Sequence, residues 1–289
     1  MTDLSSVDKA WVRRSFEAAA AGYDAAAVLQ REICQRMSGR LEYIKLDPQT
    51  ILDAGSGTGN AIPGLAERFP RARVVALDLA LSMVRRAQAR QSWWRSMLGR
   101  GGVSAVCGDI ESLPLAAAGV ELVWSNLALQ WVNEPARVFG EFHRALRPGG
   151  LLMFSTFGPD TLKELRAAYA GTDGRTHVHR FIDMHDLGDM LVNAGFADPV
   201  MDMEYVTLTY VTVRDLMRDL KTIGAVNAAR DRPAGLSGKA LLAAVERHYE
   251  TQRREGKLPA TFEVVYGHAW KAQPRKTADG RSVIPIKSV

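Results

Sequence analysis

The sequence has few cysteines, no long apolar run and no cluster of metal-binding residues. Its 289 residues include only Cys34 and Cys107, too few for a disulfide framework, so we expect a reducing compartment, the cytoplasm. No apolar run reaches the roughly 18 residues of a membrane-spanning helix, so we expect no membrane association. Residues 1–12 mix charged and polar side chains, which predicts no secretory signal. His177 and His179 come nearest to metal-ligand spacing, and ordinary hydrogen-bonding histidines are the favoured interpretation.

Acidic residues are slightly outnumbered, since 37 Lys and Arg face 32 Asp and Glu, giving a net charge of +5 and a pI near 9.3. This balance suits an acidic partner, such as nucleic acid, anionic lipid or an acidic carrier protein, although it can also serve solubility alone. One run of arginines without acids surrounds Trp93-Trp94 and is a candidate docking surface: Arg85, Arg86, Arg90, Arg95 and Arg100. The run carries no base-reading motif, so we expect no nucleic-acid partner.

Strand and helix patterns alternate through the middle of the chain. Such alternation predicts an α/β fold with a doubly wound, mostly parallel sheet, here with seven strands in a Rossmann-like arrangement. The predicted strands are Ile51–Leu52, Arg73–Asp78, Val103–Cys107, Val120–Ser125, Leu151–Thr156, Tyr205–Val211 and Phe262–Trp270. Crossover helices are predicted between them, and Arg147-Pro148-Gly149-Gly150 is expected to stop the helix before the fifth strand.

The chain divides into three predicted parts. Residues 1–45 form an N-terminal helical cap, in which 12–41 carry apolar residues at helical spacing. Residues 46–273 form the main domain, with helical insertions at about 158–182 and 212–256 that we expect to act as a lid over a substrate. Residues 274–289 form a basic tail that we expect to be loosely ordered.

The segment from Ile51 to Gly59 is the most informative part of the sequence. A short apolar run ends at Asp53 and breaks into three alternating glycines, Gly55, Gly57 and Gly59. A dinucleotide fingerprint would need its third glycine at position 60, which is Asn60. The spacing D-x-G-x-G-x-G instead resembles the first motif of S-adenosylmethionine-dependent methyltransferases. There, glycine lets the backbone pass close under the methionine part of the cofactor, and Asp53 is placed to meet its cationic groups.

Polar residues follow the next strands at the same sheet edge, where ligands bind in such folds. Asp78, with Leu79 beside it, can accept both ribose hydroxyls, although it can also cap the helix that starts near Leu81. Asp109, beside the Ile110 backbone, can accept the adenine amino group or act as a turn carboxylate.

Asn126 opens a loop that is expected to flank the methionine end of the cofactor and the reacting methyl group. Gln130 and Trp131 in this loop are either site residues or packing residues.

Several further segments narrow the resemblance. The chain resembles the malonyl-acyl-carrier-protein O-methyltransferases of biotin synthesis, within the class I methyltransferases. The segments that carry this resemblance are Phe16-x-x-Ala19-Ala20-x-x-Tyr23-Asp24, Leu127-x-Leu129-Gln130-Trp131, the run from Ser155 to Arg166, Phe181 to Asp189, and Arg218-Asp219-Leu220-Lys221-x-x-Gly224-Ala225-x-Asn227. The run after the fifth strand is the most specific, because the generic fold does not dictate it.

The resemblance implies methyl transfer from S-adenosylmethionine to the free carboxylate of malonyl-acyl carrier protein or malonyl-CoA. The products would be S-adenosylhomocysteine and a malonyl methyl ester whose masked charge lets chain elongation proceed toward pimelate. A carboxylate with a pKa near ~4 is already ionised at neutral pH and needs no general base. The sequence agrees, because no convincing Ser/His/Asp or Cys/His arrangement is seen in it.

An arginine is expected to hold the malonyl carboxylate, since its planar fork matches a carboxylate. Arg180 is our first choice, and a solvated side chain is the alternative for each candidate: Lys163, Arg166, Arg175, Arg180, Arg214, Arg218 and Lys221. Tyr23 and Phe16 are expected to close over the cofactor, with the Tyr23 hydroxyl near the methyl group, or else to pack in the core. The predicted catalytic residues are therefore Tyr23, Gln130 and Arg180.

Other functions stay open at this point. The nearest alternatives are a methyltransferase acting on another small carboxylate or a quinone, and a complex I assembly factor that modifies protein arginine. A nucleic-acid methyltransferase is disfavoured because Asn126-Leu127-Ala128-Leu129 stands where an N-P-P-Y-type motif would follow the fourth strand. A cofactor-binding protein without catalysis is the remaining alternative.

Overall fold

The structure is a computed structural model that describes residues 6–90, 101–170, 172, 175–230, 232 and 238–273. Trp93-Trp94, Arg95 and Arg100 of the predicted docking surface, and the predicted tail at 274–289, lie outside the described residues.

One mixed sheet organises the fold. Its strands, within the described residues, are β1 (Thr50–Ala54), β2 (Arg73–Asp78), β3 (Val103–Cys107), β4 (Val120–Asn126), β5 (Leu146–Phe157), β6 (Phe196–Tyr210) and β7 (Leu258–Lys271). The order across the sheet is β3-β2-β1-β4-β5-β7-β6. β1 to β5 pair in parallel, whereas β7 runs antiparallel to both β5 and β6. The predicted doubly wound, mostly parallel seven-stranded sheet is confirmed.

Side chains alternate between two cores, one on each face of the sheet. Ile51, Leu122 and Trp124 point to one face, whereas Leu52 and Val123 point to the other, and all five are fully buried. This period of two follows from the pleat of a strand, and burial on both faces explains the continuous apolar runs in the sequence. Helices cover both faces: α4 (Ile62–Arg68), α5 (Leu81–Ala89), α6 (Pro135–Ala145), α7 (Lys163–Tyr169), α8 (Met184–Asn193), α9 (Val213–Thr222) and α10 (Lys239–Glu250).

The N-terminal cap is helical but divided. Three helices replace the continuous pattern predicted over residues 12–41, and their bounds are Lys9–Ala19, Tyr23–Ala26 and Val28–Leu41. We number the crossover helices after these three, which are α1, α2 and α3. α1 begins after Asp8, whose carboxylate accepts the Trp11 N–H at 3.0 Å and so caps the first turn. The path breaks at Gly22 and again at Ala27, whose ψ of 51° is not helical.

Five strands extend beyond their predicted bounds, and β5 and β6 start earliest relative to the prediction. β5 starts at Leu146, so the Arg147–Gly150 segment belongs to the strand, although α6 stops at Ala145 as expected. β6 starts at Phe196 rather than Tyr205, and it alternates exposed and less exposed residues because it lies at the edge of the sheet. Two polar side chains of this strand, Asp202 and Glu204, form ion pairs with arginines of α3.

The insertions follow β5 and β6. α7 lies within residues 158–182, and α9 and α10 lie within residues 212–256, so both predicted insertions contain helices. Their domain bounds and their action as a lid stay predictions. None of the helices in the described ranges is long and apolar enough to cross a membrane.

Candidate functional site

A cleft of about 820 Å³ lies at the carboxyl ends of β1 to β4, and we call it the main cleft. Parallel strands bring their carboxyl ends to one edge of the sheet, which is where the predicted polar residues were placed. Nine of the residues predicted to bind the cofactor or to act in catalysis line this cleft: Tyr23, Gly55, Gly57, Asp78, Leu79, Asp109, Ile110, Asn126 and Gln130.

The glycine turn after β1 forms the floor of the main cleft. Gly55, Gly57 and Gly59 all have positive φ, at 76°, 54° and 79°. A Cβ on Gly55 would stand 2.3 Å from the Ala128 Cβ, so only glycine lets the turn approach the loop after β4. A Cβ on Gly59 would stand 3.0 Å from the Ala87 Cα, so this third glycine serves the contact with α5.

Asp78 links the glycine turn to the end of β2. Its carboxylate accepts the Gly57 N–H at 2.8 Å and the Ala80 N–H at 2.9 Å. Burial raises the pKa of Asp78 to about 6 despite these donors, which favour the ionised form. Asp78 therefore braces the turn and presents a carboxylate to the main cleft, but it does not cap α5, whose Leu81 and Ser82 N–H groups are bound by Glu17.

Asp53 lies behind the turn, in a polar side pocket of about 430 Å³ that shares Tyr23, Gly55, Gly57 and Asn126 with the main cleft. The side chain of Asp53 is buried, and its Oδ2 has no hydrogen-bond partner among the described residues. Burial, together with the nearby charge of Asp78, raises the pKa of Asp53 to about 7. A buried carboxylate without a donor is costly, so this pocket is suited to a cationic or hydrogen-bond-donating group.

Asp109 already has a partner within the chain. The Lys9 ammonium lies 2.7 Å from its Oδ1 and 2.5 Å from its Oδ2, and also 2.5 Å from Glu111. Lys9 starts α1 and lines the main cleft, so the N-terminal cap closes one side of that cleft. The sequence analysis did not find Lys9, because nothing in the pattern of α1 indicates a contact 100 residues away.

The loop after β4 is fixed by its own polar groups. Asn126 donates to the Gln30 carbonyl at 3.1 Å and accepts from the Ser155 hydroxyl at 2.8 Å. Gln130 donates to the Leu127 carbonyl at 2.8 Å, and its amide oxygen accepts from the Thr156 hydroxyl at 3.3 Å. Both amides are thus held in place at the cleft surface.

Aromatic side chains close the outer side of the main cleft. Phe16 of α1 meets Trp131 edge-on at 5.4 Å between ring centroids, and Trp131 meets His179 in the same way at 5.6 Å. The Tyr23 ring is 6.5 Å from Phe16 and lies beside the glycine turn, since a Cβ on Gly57 would stand 3.9 Å from the Tyr23 Cε1. Burial and the nearby carboxylates of Asp78 and Asp24 raise the pKa of Tyr23, so its hydroxyl stays protonated.

A second cleft of about 610 Å³ adjoins the main cleft. The two clefts share Gln130, Val132 and Phe157, so they meet at these side chains. Arg180 lines the second cleft together with apolar and polar residues from several other elements, and it does not line the main cleft. Among the described residues, the Arg180 guanidinium has no hydrogen bond or ion pair, which leaves it available to an anion.

The other predicted cations differ from Arg180 in their partners or their position. Lys163 pairs with Asp160 at 2.9 Å, and Arg218 pairs with Asp215 at 2.8 Å. Arg214 pairs with Glu246, and Arg166 donates to the carbonyls of Pro159 and Thr161 within the loop after β5. Arg175 and Lys221 are exposed and line neither cleft.

The predicted arginine docking surface is only partly supported. Arg85 and Arg86 are exposed on α5. Arg90 instead donates to the Thr58 carbonyl at 2.6 Å and pairs with Asp24 at 2.9 Å, so it belongs to the site and not to a free surface.

The two histidines considered as metal ligands have other surroundings. His179 is buried, and its Nε2 accepts the Ala228 N–H at 3.1 Å, while the His177 ring stacks on Tyr169 at 3.9 Å. Over the part of the chain that the structure describes, no three metal-binding side chains come together.

Comparisons with known proteins agree with this arrangement. Residues 52–154 match the family model described as a methyltransferase domain. A putative methyltransferase from Bacillus halodurans has a similar fold, with a TM-score of 0.55, 18% identity, and coverage of 82% of this chain and 97% of its own. The class I methyltransferase fold is therefore confirmed.

Two curated relatives are much more similar in sequence. The malonyl-[acyl-carrier protein] O-methyltransferase of Gallionella capsiferriformans is 58% identical over 278 residues, covering 96% of each chain. The enzyme of the same name from a Methylovorus species is 54% identical over 286 residues, covering 99% of this chain and 97% of its own. On this evidence the chain belongs to the malonyl-[acyl-carrier protein] O-methyltransferase family.

Proposed function

We propose that this protein transfers a methyl group from S-adenosylmethionine to the free carboxylate of a malonyl group carried by acyl carrier protein. One observation carries the proposal: an acid-rich cleft above a glycine turn adjoins a second cleft that holds an arginine without a partner among the described residues. The shared residues Gln130, Val132 and Phe157 mark the place where donor and acceptor would meet. Membership of the family supports the same reaction.

The residues of the main cleft and its side pocket fit S-adenosylmethionine. The unpartnered Oδ2 of Asp53 offers a buried acceptor to the cationic methionine end, above the close backbone of Gly55 and Gly57. Asp78 would accept the ribose hydroxyls, and Asp109 with Leu79 and Ile110 would border the adenine. Asn126 would flank the methionine end. When bound, S-adenosylmethionine supplies an electrophilic methyl group on a positively charged sulfur.

Arg180 would bind the malonyl carboxylate in the second cleft. A guanidinium binds a carboxylate through charge-assisted hydrogen bonds, and its planar fork fixes the orientation of the carboxylate. A single arginine, rather than a pair of cations, leaves an oxygen of the carboxylate nucleophilic. No protein base is required, since the carboxylate is ionised at neutral pH.

Gln130 would act where the two clefts meet, and Tyr23 would act where the main cleft meets the polar side pocket. The Gln130 amide is oriented by Leu127 and Thr156, so it offers a neutral contact to the substrate oxygen. The protonated Tyr23 hydroxyl offers a second neutral donor near the methyl group. The apolar surfaces of Phe157, Val132 and Trp131 exclude water, so alignment replaces a general base as the main contribution to the rate.

Acyl carrier protein, rather than CoA, is the proposed carrier of the malonyl group. The net charge of +5 suits an acidic partner, and electrostatic attraction mainly raises association rates. We further infer that the reaction occurs in the cytoplasm and delivers a methyl ester to biotin synthesis. Both cysteines are free thiols, which agrees with a reducing compartment.

Intact-mass spectrometry tests the proposed reaction. Malonyl-acyl carrier protein incubated with this protein and S-adenosylmethionine should gain about 14 Da, one methyl group in place of hydrogen, while acetyl-acyl carrier protein should gain nothing. Malonyl-CoA in a parallel reaction tests the carrier preference. Cofactor binding without any mass gain would contradict the substrate, and would favour a methyltransferase for another small carboxylate or quinone, or an assembly protein.

A further inference from the structure

Asp24, the residue after Tyr23, joins three parts of the site. Its Oδ1 accepts from the Thr58 hydroxyl at 2.5 Å, and its Oδ2 pairs with Arg90 at 2.9 Å. Arg90 in turn donates through Nε to the Thr58 carbonyl at 2.6 Å. We call Asp24, Thr58 and Arg90 the Asp24 clasp. It ties α2 to the glycine turn and to the C-terminal end of α5.

The helix that carries Asp24 has little other support. α2 has four residues, none of them buried, and Gly22 before it provides no side-chain cap. A single turn of helix is unstable alone, because few hydrogen bonds offset the ordering of its backbone. Arg31 strengthens the same attachment by donating to the Asp24 carbonyl. Besides its packing against α9, the position of α2 therefore depends mainly on Asp24 and on the Tyr23 ring.

The Asp24 clasp determines where the Tyr23 ring lies. Tyr23 lines both the main cleft and the polar side pocket, so it stands where these two cavities meet above the glycine turn. Thr58, which Asp24 holds, is buried within that turn between Gly57 and Gly59. A shift of α2 would move the Tyr23 ring away from the turn and would widen the opening of the polar side pocket.

We propose that Asp24 is a positioning residue that acts through Tyr23: by binding Thr58 and Arg90 it holds the Tyr23 ring over the glycine turn and so encloses the methionine end of the cofactor. This inference rests on the proposed use of the main cleft for S-adenosylmethionine. It assigns Asp24 no contact with the cofactor or the substrate.

Because Asp24 is about half exposed, its positioning of Tyr23 can be distinguished from a contribution to the global stability of the protein. The Asp24 side chain is 48% exposed and that of Arg90 is 29% exposed, so water screens their attraction. An exposed ion pair of this kind contributes little to global stability. Loss of Asp24 should therefore change cofactor binding far more than it changes the melting temperature.

Binding of S-adenosylhomocysteine, measured by isothermal titration calorimetry without any malonyl substrate, tests the inference. Asp24→Asn and Asp24→Ala should weaken binding about 5-fold and about 10-fold, since a displaced side chain next to a ligand has effects of this size. Asp202→Asn is the matched control, because Asp202 forms an equally exposed pair with Arg40 at 2.6 Å, away from both clefts. The control should leave binding unchanged.

A double-mutant cycle with Tyr23 decides whether Asp24 acts through the ring. In a Tyr23→Ala background, Asp24→Ala should change the affinity by less than about 2-fold, because the group that it positions is gone. Additive effects, or wild-type affinity in Asp24→Ala, would overturn the inference. If Asp24→Ala folds poorly, Arg90→Gln can replace it in the cycle. Arg90→Gln should weaken S-adenosylhomocysteine binding when Tyr23 is present and should have little effect in the Tyr23→Ala background.

Failure of the substrate assignment would be seen separately. If malonyl-acyl carrier protein gains no methyl group but the cycle shows coupling in S-adenosylhomocysteine binding, the inference holds and only the acceptor is wrong. If S-adenosylhomocysteine does not bind the unmodified protein, both the cofactor assignment and the role of Asp24 are contradicted.

Discussion

The main cleft and the second cleft are built on opposite principles. The main cleft and its polar side pocket display carboxylates at strand ends, Asp78 and Asp109 in the cleft and Asp53 in the pocket, around a glycine turn whose backbone is exposed to a ligand. The second cleft displays Arg180, a cation without a partner in the described part of the chain, and none of the described residues that line this cleft is acidic. Acidic groups suit a cationic donor and the arginine suits an anionic acceptor, so the charges of the two clefts already distinguish the two substrates.

The clefts also differ in what fixes their geometry. In the main cleft, backbone conformation decides, since Gly55 and Gly57 need positive φ and Asp78 is held by backbone N–H groups. In the second cleft, side chains from separate parts of the chain decide, and Arg180 has no described partner that fixes it. Substitutions in the first should therefore abolish cofactor binding, whereas substitutions in the second should change the use of the acceptor alone.

The largest expected effect is from Gly55→Ala. The new Cβ would stand 2.3 Å from that of Ala128, at a φ of 76° that L-residues rarely adopt, so the turn must move. Strain and overpacking of a few kcal/mol predict a loss of S-adenosylhomocysteine affinity of about 100-fold, measured by calorimetry. Gly39→Ala is the control, because nothing lies within 4 Å of its added Cβ. Unchanged affinity in Gly55→Ala would refute the cofactor assignment of the turn.

Next in size is Arg180→Ala, which should separate the two clefts. Loss of a charge-assisted contact of about 1.5–3 kcal/mol predicts a kcat/KM for malonyl-acyl carrier protein that is lower by about 10- to 100-fold. The affinity for S-adenosylhomocysteine should not change, since Arg180 does not line the main cleft. Arg214→Ala, which removes an exposed arginine paired with Glu246, is the control. Equal activity of both variants would exclude Arg180 as the carboxylate ligand.

The acidity of the main cleft should make cofactor binding dependent on pH. Asp53 has a pKa of about 7, and its protonation removes the charge that attracts the methionine end. S-adenosylmethionine affinity should therefore fall about 10-fold between pH 8 and pH 6 if only the ionised form binds. Asp53→Asn should bind weakly at both values and lose this dependence. A flat profile in the unmodified protein would show that Asp53 does not meet the cofactor.

Ionisation of Asp53, which should favour cofactor binding, should instead lower the stability of the cofactor-free protein. The pKa of Asp53 is raised on folding, so its ionised form opposes folding, and stability should decrease as the pH rises from about 4 to about 7. Asp53→Asn should therefore raise the melting temperature of the cofactor-free protein at pH 8, measured by differential scanning calorimetry. A lower melting temperature would mean that an unseen donor satisfies the Asp53 carboxylate.

The smallest expected effect concerns Lys9. Lys9→Met removes the charge that joins Asp109 and Glu111, so the two carboxylates repel each other and α1 loosens at the side of the main cleft. Partly exposed ion pairs contribute about 1 kcal/mol or less, which predicts an S-adenosylhomocysteine dissociation rate that rises by about 2- to 5-fold in stopped-flow experiments. Arg13→Met, which removes only a longer contact with Glu17 at 3.9 Å, should leave the rate unchanged.

The features of the site that depend on local sequence patterns could be predicted, whereas those that depend on distant contacts could not. The sheet, the glycine turn and the strand-end residues Asp78, Asp109 and Asn126 could be placed, because strand periodicity and glycine spacing are local patterns. Lys9 could not be found, because its contact with Asp109 joins distant parts of the chain. The division of the N-terminal helix at Ala27 and the early start of β6 were also missed, since tertiary pairing overrides local propensity there.

The need for an arginine such as Arg180 could be predicted from the sequence, but the choice among the candidate cations could not be justified from the sequence alone. The need for a guanidinium follows from the chemistry of a carboxylate, and the family resemblance supplied that chemistry. Its selection from seven cations relied on its position before a helix, and only the three-dimensional arrangement separates it from cations with partners, such as Arg166 and Lys163. The role of each predicted site residue stays a prediction until the variants are measured.

The antiparallel position of β7 has a consequence for synthesis on the ribosome. β7 lies between β5 and β6, although it follows both in the chain. β6 therefore cannot join the sheet until β7 has emerged, and the loop after β5, which bonds to Glu263 and Thr261 of β7, stays without those partners until then. The glycine turn, built on β1, β2 and β4, needs no contact with β7. Translation thus delivers the glycine turn and its strands first, whereas the loop after β5 gains these partners only with one of the last strands to be made.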